Sequence, residues 1–348
     1  MKLLVITQKL DINDDILGFF HRWVEEFAKK TEKVVLIAQF VGEYHLPKNV
    51  EVFSLGKEKR YSKIRQFFNF YRLLFKNLPK IDAVFVHMIP MWVVLGCPIF
   101  KIYRKKVYLW YVHKKVNMAL KLAEKFVDKI FTASKESCRL RSDKIIITGH
   151  GIDADFFKPR NKERSQKFKI VSAGRIAPVK NLHILIEAAE ILKKKDFSAK
   201  GAGSSQDSGW GVEIAGGPIL EQDEIYFEKL KNLVKEKNLE DKIFFAGSVL
   251  YKNIAGFYQG GDLFVNFSDT GSIDKAVLEA MTSGLLVLTS NEAFKNILPP
   301  KYFTSKNPGE IAGKIILLAK SEPNPALRDY VVKNHGLSNL INRIIGLI

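Results

Sequence analysis

The chain has 348 residues, 47% of them hydrophobic, and a formal net charge of +18; it is long for one core and sufficient for two that need neither disulfides nor metals. Its two cysteines, Cys97 and Cys138, form no CxxC pair, which excludes a disulfide or zinc framework and fits a reducing compartment. The opening MKLLVITQKLD lacks the apolar core of a secretory signal, and the apolar run at 88–100 contains Pro90 and Pro98 and falls short of the roughly 20 residues of a membrane span, so neither export nor integral insertion is expected.

Strand-like runs at 3–7, 34–40, 83–87, 107–113, 129–132 and 144–148 alternate with helix-length segments at 16–30, 61–76 and 116–126. This is the rhythm of a parallel sheet with helical crossovers. A charged, proline-containing connector at 157–164 follows. The alternation then restarts with strands at 168–173, 211–215, 243–246, 263–267 and 286–289, separated by helices at 182–194, 224–236, 254–259 and 273–282. The expected organisation is α/β, with domains at 1–158 and 165–335 and a C-terminal helix at 336–348 that could pack back on the first domain. The stretch SAKGAGSSQDSGWG reads as a surface loop. Its Gly201 and Gly203 follow a helix and precede a strand, the reverse of a dinucleotide fingerprint.

The positive charge is concentrated at the start: residues 1–158 hold 29 Lys and Arg against 16 Asp and Glu. Its densest part runs from Lys57 to Lys80, KEKRYSKIRQFFNFYRLLFKNLPK, where eight basic residues face one Glu and aromatics are interleaved. This is a basic, aromatic, amphipathic helix, suited either to an anionic membrane face or to ordinary core packing with a solvated lysine face. No helix-turn-helix, zinc-finger or RNP-like pattern accompanies the charge, so nucleic acid is not the expected partner.

Chemistry concentrates at the strand ends of the second half. SAGRIAPVKN places Arg175 and Lys180 after a strand and before a helix, where Gly174, the two cations and the helix start favour a diphosphate. Other strands there end in small or polar loops: Gly216 and Gly217, Ser248 and Val249, and Thr270, Gly271 and Ser272. Together they could line one pocket. Glu279 is acidic among Ala276, Val277, Leu278, Ala280 and Met281, so it requires a hydrogen-bonding partner, and a ligand hydroxyl is a good candidate. In the first half His87 and His113 end strands, so both imidazoles are expected at one sheet edge.

In chain order GRIAPVKN, EIAGGP, FAGSV and DLFVNFSDTGSIDKAVLEAMTSGLLVLTSN resemble the retaining nucleotide-sugar glycosyltransferases of family 4, and ITGHGIDADFFKP resembles the segment joining their two domains. The resemblance implies a GT-B fold, two Rossmann-like domains facing each other across a cleft. It implies hexosyl transfer with retention from a nucleotide-sugar co-substrate, in polysaccharide biosynthesis, with no metal or other cofactor. On this reading Arg175 and Lys180 hold the donor diphosphate, Glu279 binds the ribose hydroxyls, His113 contacts the donor sugar, and Gly18 and His87 lie on the acceptor side. Gly271 stands where the family carries a sugar-binding glutamate, so Asp274, Lys275 or Asp269 is expected to supply the replacement contact, and the catalytic candidates are His113, Asp274 and Glu279. His150 replaces the more usual Asn before Gly-Ile-Asp.

The function expected from the sequence is transfer to a glycan or lipid-linked acceptor by a cytoplasmic protein, resting peripherally on the inner membrane face through residues 57–80. The alternatives are a related epimerase or phosphorylase, or a non-catalytic binder of sugar nucleotides or polyanions.

Overall fold

The computed structural model describes residues 1–159, 167–195, 197 and 209–348. Most of the charged connector and the Gly201 and Gly203 pair fall outside these residues. The chain forms two compact units, one of Met1–Asp153, Leu250–Lys252 and Asn334–Ile348, the other of Ala154–Val249 and Asn253–Lys333. The division precedes the connector because Arg328 donates from Nη1 to the Phe157 carbonyl at 2.6 Å and from Nη2 to the Ala154 carbonyl at 2.9 Å. Residues 154–157 are thereby tied to the second unit.

The first unit carries seven parallel strands: β1 (Lys2–Leu10), β2 (Lys33–Val41), β3 (Val50–Ser54), β4 (Ala83–His87), β5 (Lys106–Trp110), β6 (Lys129–Thr132) and β7 (Ile145–Ile147). Their order is β3-β2-β1-β4-β5-β6-β7. Runs such as LLVI and VVLIA are apolar at every position because both faces are covered. Alternate residues serve opposite layers. Leu4, Ile6, Val35, Ile37, Val84 and Val86 pack with Phe70, Leu73 and Leu74 of α2 (Lys63–Asn77) and Trp92 and Val93 of α3 (Pro90–Ile102). Leu3, Val5, Val34, Leu36 and Phe85 pack with Phe20, Trp23 and Phe27 of α1 (Phe19–Lys30) and Leu340, Ile341 and Ile344 of the C-terminal helix Leu337–Ile345.

Three differences from the sequence reading have local causes. The first helix begins at Phe19, not residue 16, because Asp14 Oδ1 accepts the N–H groups of Ile16 and Leu17 at 2.9 and 2.6 Å and holds a turn. Residues 90–102 form α3, with Pro90 in its first turn and Pro98 inside it; no described helix is long and apolar enough to cross a membrane. Strand β5 stops at Trp110, which leaves His113 on the loop beyond it. A short helix, α4 (Met118–Glu124), completes this layer.

The second unit is a five-stranded parallel sheet of β8 (Phe168–Ala173), β9 (Trp210–Ala215), β10 (Ile243–Gly247), β11 (Leu263–Asn266) and β12 (Leu286–Thr289) in the order β10-β9-β8-β11-β12. Around it lie α5 (Leu182–Lys194), α6 (Glu221–Glu236), α7 (Tyr251–Gln259), α8 (Lys275–Thr282), α9 (Pro308–Ala319) and α10 (Pro325–His335), and the C-terminal helix of the first unit follows as α11. Strand order runs one way from β8 to β9 and β10 and the other way to β11 and β12. Such a reversal opens a crevice at the carboxyl ends of the two strands that flank it, β8 and β11.

Candidate functional site

The loops leaving β8 and β11 are sewn together at that reversal. Asn181, in the left-handed conformation at φ 52°, donates from Nδ2 to the Phe267 carbonyl at 2.9 Å and to Asp269 Oδ2 at 2.8 Å. The Asp269 N–H donates to the Val179 carbonyl at 2.9 Å. On the other side Gly216, at φ 129°, lies so close to the β8 loop that a Cβ would sit 1.9 Å from the Gly174 carbonyl oxygen. Gly174 N–H donates to the Ala215 carbonyl at 3.0 Å and Ile176 N–H to the Gly217 carbonyl at 3.0 Å. Gly217 in turn approaches Ser248, whose Oγ would lie 3.2 Å from a Cβ built there. Gly174, Arg175, Gly216, Gly217 and Ser248 are thus held on one continuous edge.

Both expected cations belong to this edge. Arg175 and Lys180 line a small depression with Gly174, Ala173, Asn266 and Phe267. Lys180 Nζ donates to Asp274 Oδ2 at 2.7 Å, and Asn266 Nδ2 donates to the same oxygen at 3.1 Å. Arg175 Nε lies 3.7 Å from Asp223 Oδ2. A larger hollow lined by Lys167, Lys169 and Lys242 opens at the amino ends of β8 to β10, the edge opposite these groups.

Helix α8 begins at Lys275, two residues later than the sequence suggests, because Ile273 is buried and Asp274 is extended at φ −83°, ψ 118°. Asp274 therefore stands at the N-cap position, and its carboxylate turns to Lys180 and Asn266 instead of capping its own helix. Gly271 sits at φ 64°, a backbone conformation that disfavours the glutamate expected there. Thr270 is bound into the same loop, its N–H donating to Ser268 Oγ at 3.3 Å.

Glu279 is 6% exposed. Its partners come from the protein: Lys275 Nζ lies 2.8 Å from Oε1, and the Tyr258 hydroxyl donates to Oε2 at 3.0 Å. A ligand hydroxyl is not required to satisfy it. An ionised carboxylate accepts about four hydrogen bonds, so capacity for a diol remains.

The first-unit candidates are separated by burial. His87 does not emerge at the sheet edge. It is 2% exposed, stacked on Phe20 at 4.1 Å between ring centroids, with Nδ1 3.3 Å from Thr7 Oγ1. His113 is exposed, and its Nδ1 accepts the Lys115 N–H at 3.0 Å, which places the proton of the neutral ring on Nε2. Gly18 precedes α1, where a Cβ would meet the Asp14 carbonyl oxygen at 2.5 Å. It permits a close backbone approach.

Sequence reasoning missed Asn181, Asn266, Tyr258 and Asp223. Asn181 carried a signal, an Asn directly before a helix. Tyr258 carried none, because its role is set by where α7 lies against α8.

Arg175 and Lys180 thus share a depression at the strand-order reversal of a Rossmann-like unit, the place where open α/β sheets bind ligands. The chain belongs to the glycosyl transferases group 1 family, whose sequence model matches residues 153–335. It is 29% identical over 115 residues to the mannosylfructose-phosphate synthase of Agrobacterium fabrum, covering 33% of this chain and 23% of that one. It is 25% identical over 161 residues to the alpha-monoglucosyldiacylglycerol synthase of Streptococcus pneumoniae, covering 44% and 32%. The matches thus span about a quarter to a third of these curated relatives. The crystal structure of HepE from Anabaena in complex with UDP-glucose superposes with a TM-score of 0.72 at 16% identity, covering 100% of this chain and 99% of that one. The fold is GT-B.

Proposed function

We propose that this chain transfers a sugar, with retention, from a nucleotide-sugar donor to a glycan or lipid-linked acceptor, and that it does so without a bound metal. The observation that carries the reading is the pair Arg175 and Lys180 beside the depression at the β8 and β11 ends. Two fixed cations there would oppose the charge that develops on the diphosphate as the bond to the sugar breaks. Glu279, already oriented by Lys275 and Tyr258, would accept the ribose hydroxyls. Asp274 and Lys275 would replace the side chain that Gly271 lacks at the sugar. The UDP-glucose held by the Anabaena structure makes UDP-sugars the first donors to test.

The acceptor reading rests on α2. Ile64, Phe68 and Phe75, at positions i, i+4 and i+11, are 70, 67 and 50% exposed, on a different side of the helix from buried Phe70, Leu73 and Leu74. Arg65, Arg72 and Lys76 run alongside. An apolar stripe bordered by cations suits the anionic inner face of a membrane, from which a lipid-linked acceptor would be taken. The name of the Streptococcus pneumoniae relative, a glucosyldiacylglycerol synthase, points the same way.

Calorimetric titration with UDP-, GDP- and ADP-sugars and their bare diphosphates tests the donor site. Binding of one nucleotide, weakened in Arg175→Ala and Glu279→Ala, supports the reading; no binding to any of them sinks it. Retained turnover in EDTA and the anomeric configuration of the product, read by NMR, test the metal and stereochemical parts. Gly271 favours one rival, a binder without turnover, which nucleotide binding with no transfer across a broad acceptor panel would reveal.

A further inference from the structure

Asp223 lies in the third position of α6 and is fully buried. Its Oδ2 accepts the N–H groups of Leu220 at 3.1 Å and Ile219 at 3.3 Å, and its Oδ1 has no hydrogen-bond partner among the described residues. A buried carboxylate is costly, and accepting the two N–H groups that precede α6 does not require one: an amide side chain such as Asn or Gln would accept them without the charge. Besides favouring the N-terminus of α6, the charge faces a cation. Arg175 Nε stands 3.7 Å from Oδ2, while the same arginine lines the depression beside Lys180. Asp223 reaches it from behind: α6 follows the Gly216 and Gly217 loop, which is itself hydrogen-bonded to the loop carrying Arg175 through Ile176 and Gly217.

Resting on the donor-site reading above, we propose that Asp223 is a positioning residue for Arg175. It holds the Nε side of the guanidinium and so commits the two terminal amino groups to adjacent oxygens of a diphosphate. The buried anion limits the rotamers of a long, part-exposed side chain before the ligand arrives. It touches no part of the ligand itself.

The test is a double-mutant cycle on the full chain, with UDP, GDP and ADP as probes. Asp223→Asn keeps an acceptor for the α6 N–H groups while removing the charge. If Asp223 positions Arg175, Asp223→Asn weakens nucleoside diphosphate binding about 3- to 10-fold in the parent chain and leaves it unchanged in an Arg175→Ala background. A merely structural role would lower the melting temperature while leaving affinity alone, or lower affinity equally in both backgrounds, and either result overturns the inference. Tighter binding in Asp223→Asn also overturns it, because the carboxylate would then act only as a repelling charge. Binding by the parent chain that Arg175→Ala weakens and Asp223→Asn does not would remove the positioning role alone. Failure of the parent chain to bind any of the three would remove the donor site and the positioning role together.

Discussion

Lys180 and Asp274 form an ion pair across the reversal of the second sheet, with Nζ 2.7 Å from Oδ2 and both side chains largely buried. The carboxylate occupies a position that a phosphate oxygen would also favour, beside a lysine and ahead of a helix N-terminus. Asp274→Asn should therefore tighten bare UDP about 5-fold and slow sugar transfer, because the competing charge and the proposed sugar contact disappear together. Lys180→Ala should weaken UDP about 10- to 100-fold, the usual loss of a charge-assisted hydrogen bond. Titration calorimetry alongside initial rates separates the two effects; weaker UDP binding by Asp274→Asn would show that the carboxylate does not compete.

Glu279 bears on stability as well as binding. Glu279→Ala removes two contacts in a largely buried setting, the ion pair with Lys275 and the hydrogen bond from the Tyr258 hydroxyl, at a cost of about 2–3 kcal/mol. The melting transition of the second unit should drop by about 5–8 °C. Glu279→Gln retains an acceptor for Tyr258 and should lose about half as much. Equal melting temperatures for the parent and Glu279→Ala would show that these contacts add nothing net.

Gly216→Ala should be among the most damaging one-carbon changes in the second unit. The new methyl would fall 1.9 Å from the Gly174 carbonyl oxygen at a backbone φ of 129°. Overpacking and backbone strain together should cost about 3 kcal/mol and displace the loop that carries Arg175. Gly217→Ala is the control: its nearest neighbour is Ser248 Oγ at 3.2 Å, and about 1 kcal/mol or less is expected. Chemical denaturation of both variants reads the contrast.

His335 sets an acid limit on stability. Burial, with Arg343 nearby, lowers its pKa from 6.5 to about 4. Below pH 6.5 the unfolded chain takes up a proton that the folded chain refuses, so this group makes stability fall as pH drops from 6.5 toward 4 and level off beneath that. The slope is about 1.4 kcal/mol per pH unit and the total about 3 kcal/mol. His335→Gln should flatten this limb in urea midpoints measured between pH 7 and 4; an unchanged slope would assign the acid sensitivity to other groups.

Membrane attachment through α2 is checked by sedimentation with vesicles containing phosphatidylglycerol. Exchanging Lys59, Arg60, Lys63 and Arg65 for neutral residues should abolish most binding to anionic vesicles, at about 1 kcal/mol per cation. Phe68→Ser should reduce it further at high salt, where the apolar term remains. Binding that is indifferent to both changes would exclude α2 as the attachment face.

The sequence by itself determined the two-sheet α/β organisation and the strand-end placement of Arg175 and Lys180, because hydrophobic period, glycine position and helix starts are properties of neighbouring residues. It also marked Glu279 as a buried acid needing partners. Only the tertiary structure decided who those partners are. Lys180 and Asp274 lie 94 positions apart, and Asp223 meets Arg175 through a loop contact across the β8 and β9 ends. The same holds for the histidines: strand-end positions in the sequence placed His87 and His113 alike, yet Phe20 of α1 covers one ring and the loop after β5 leaves the other exposed. Ion pairing and burial depend on distance in space, which strand order sets, whereas the sequence pattern records only distance along the chain.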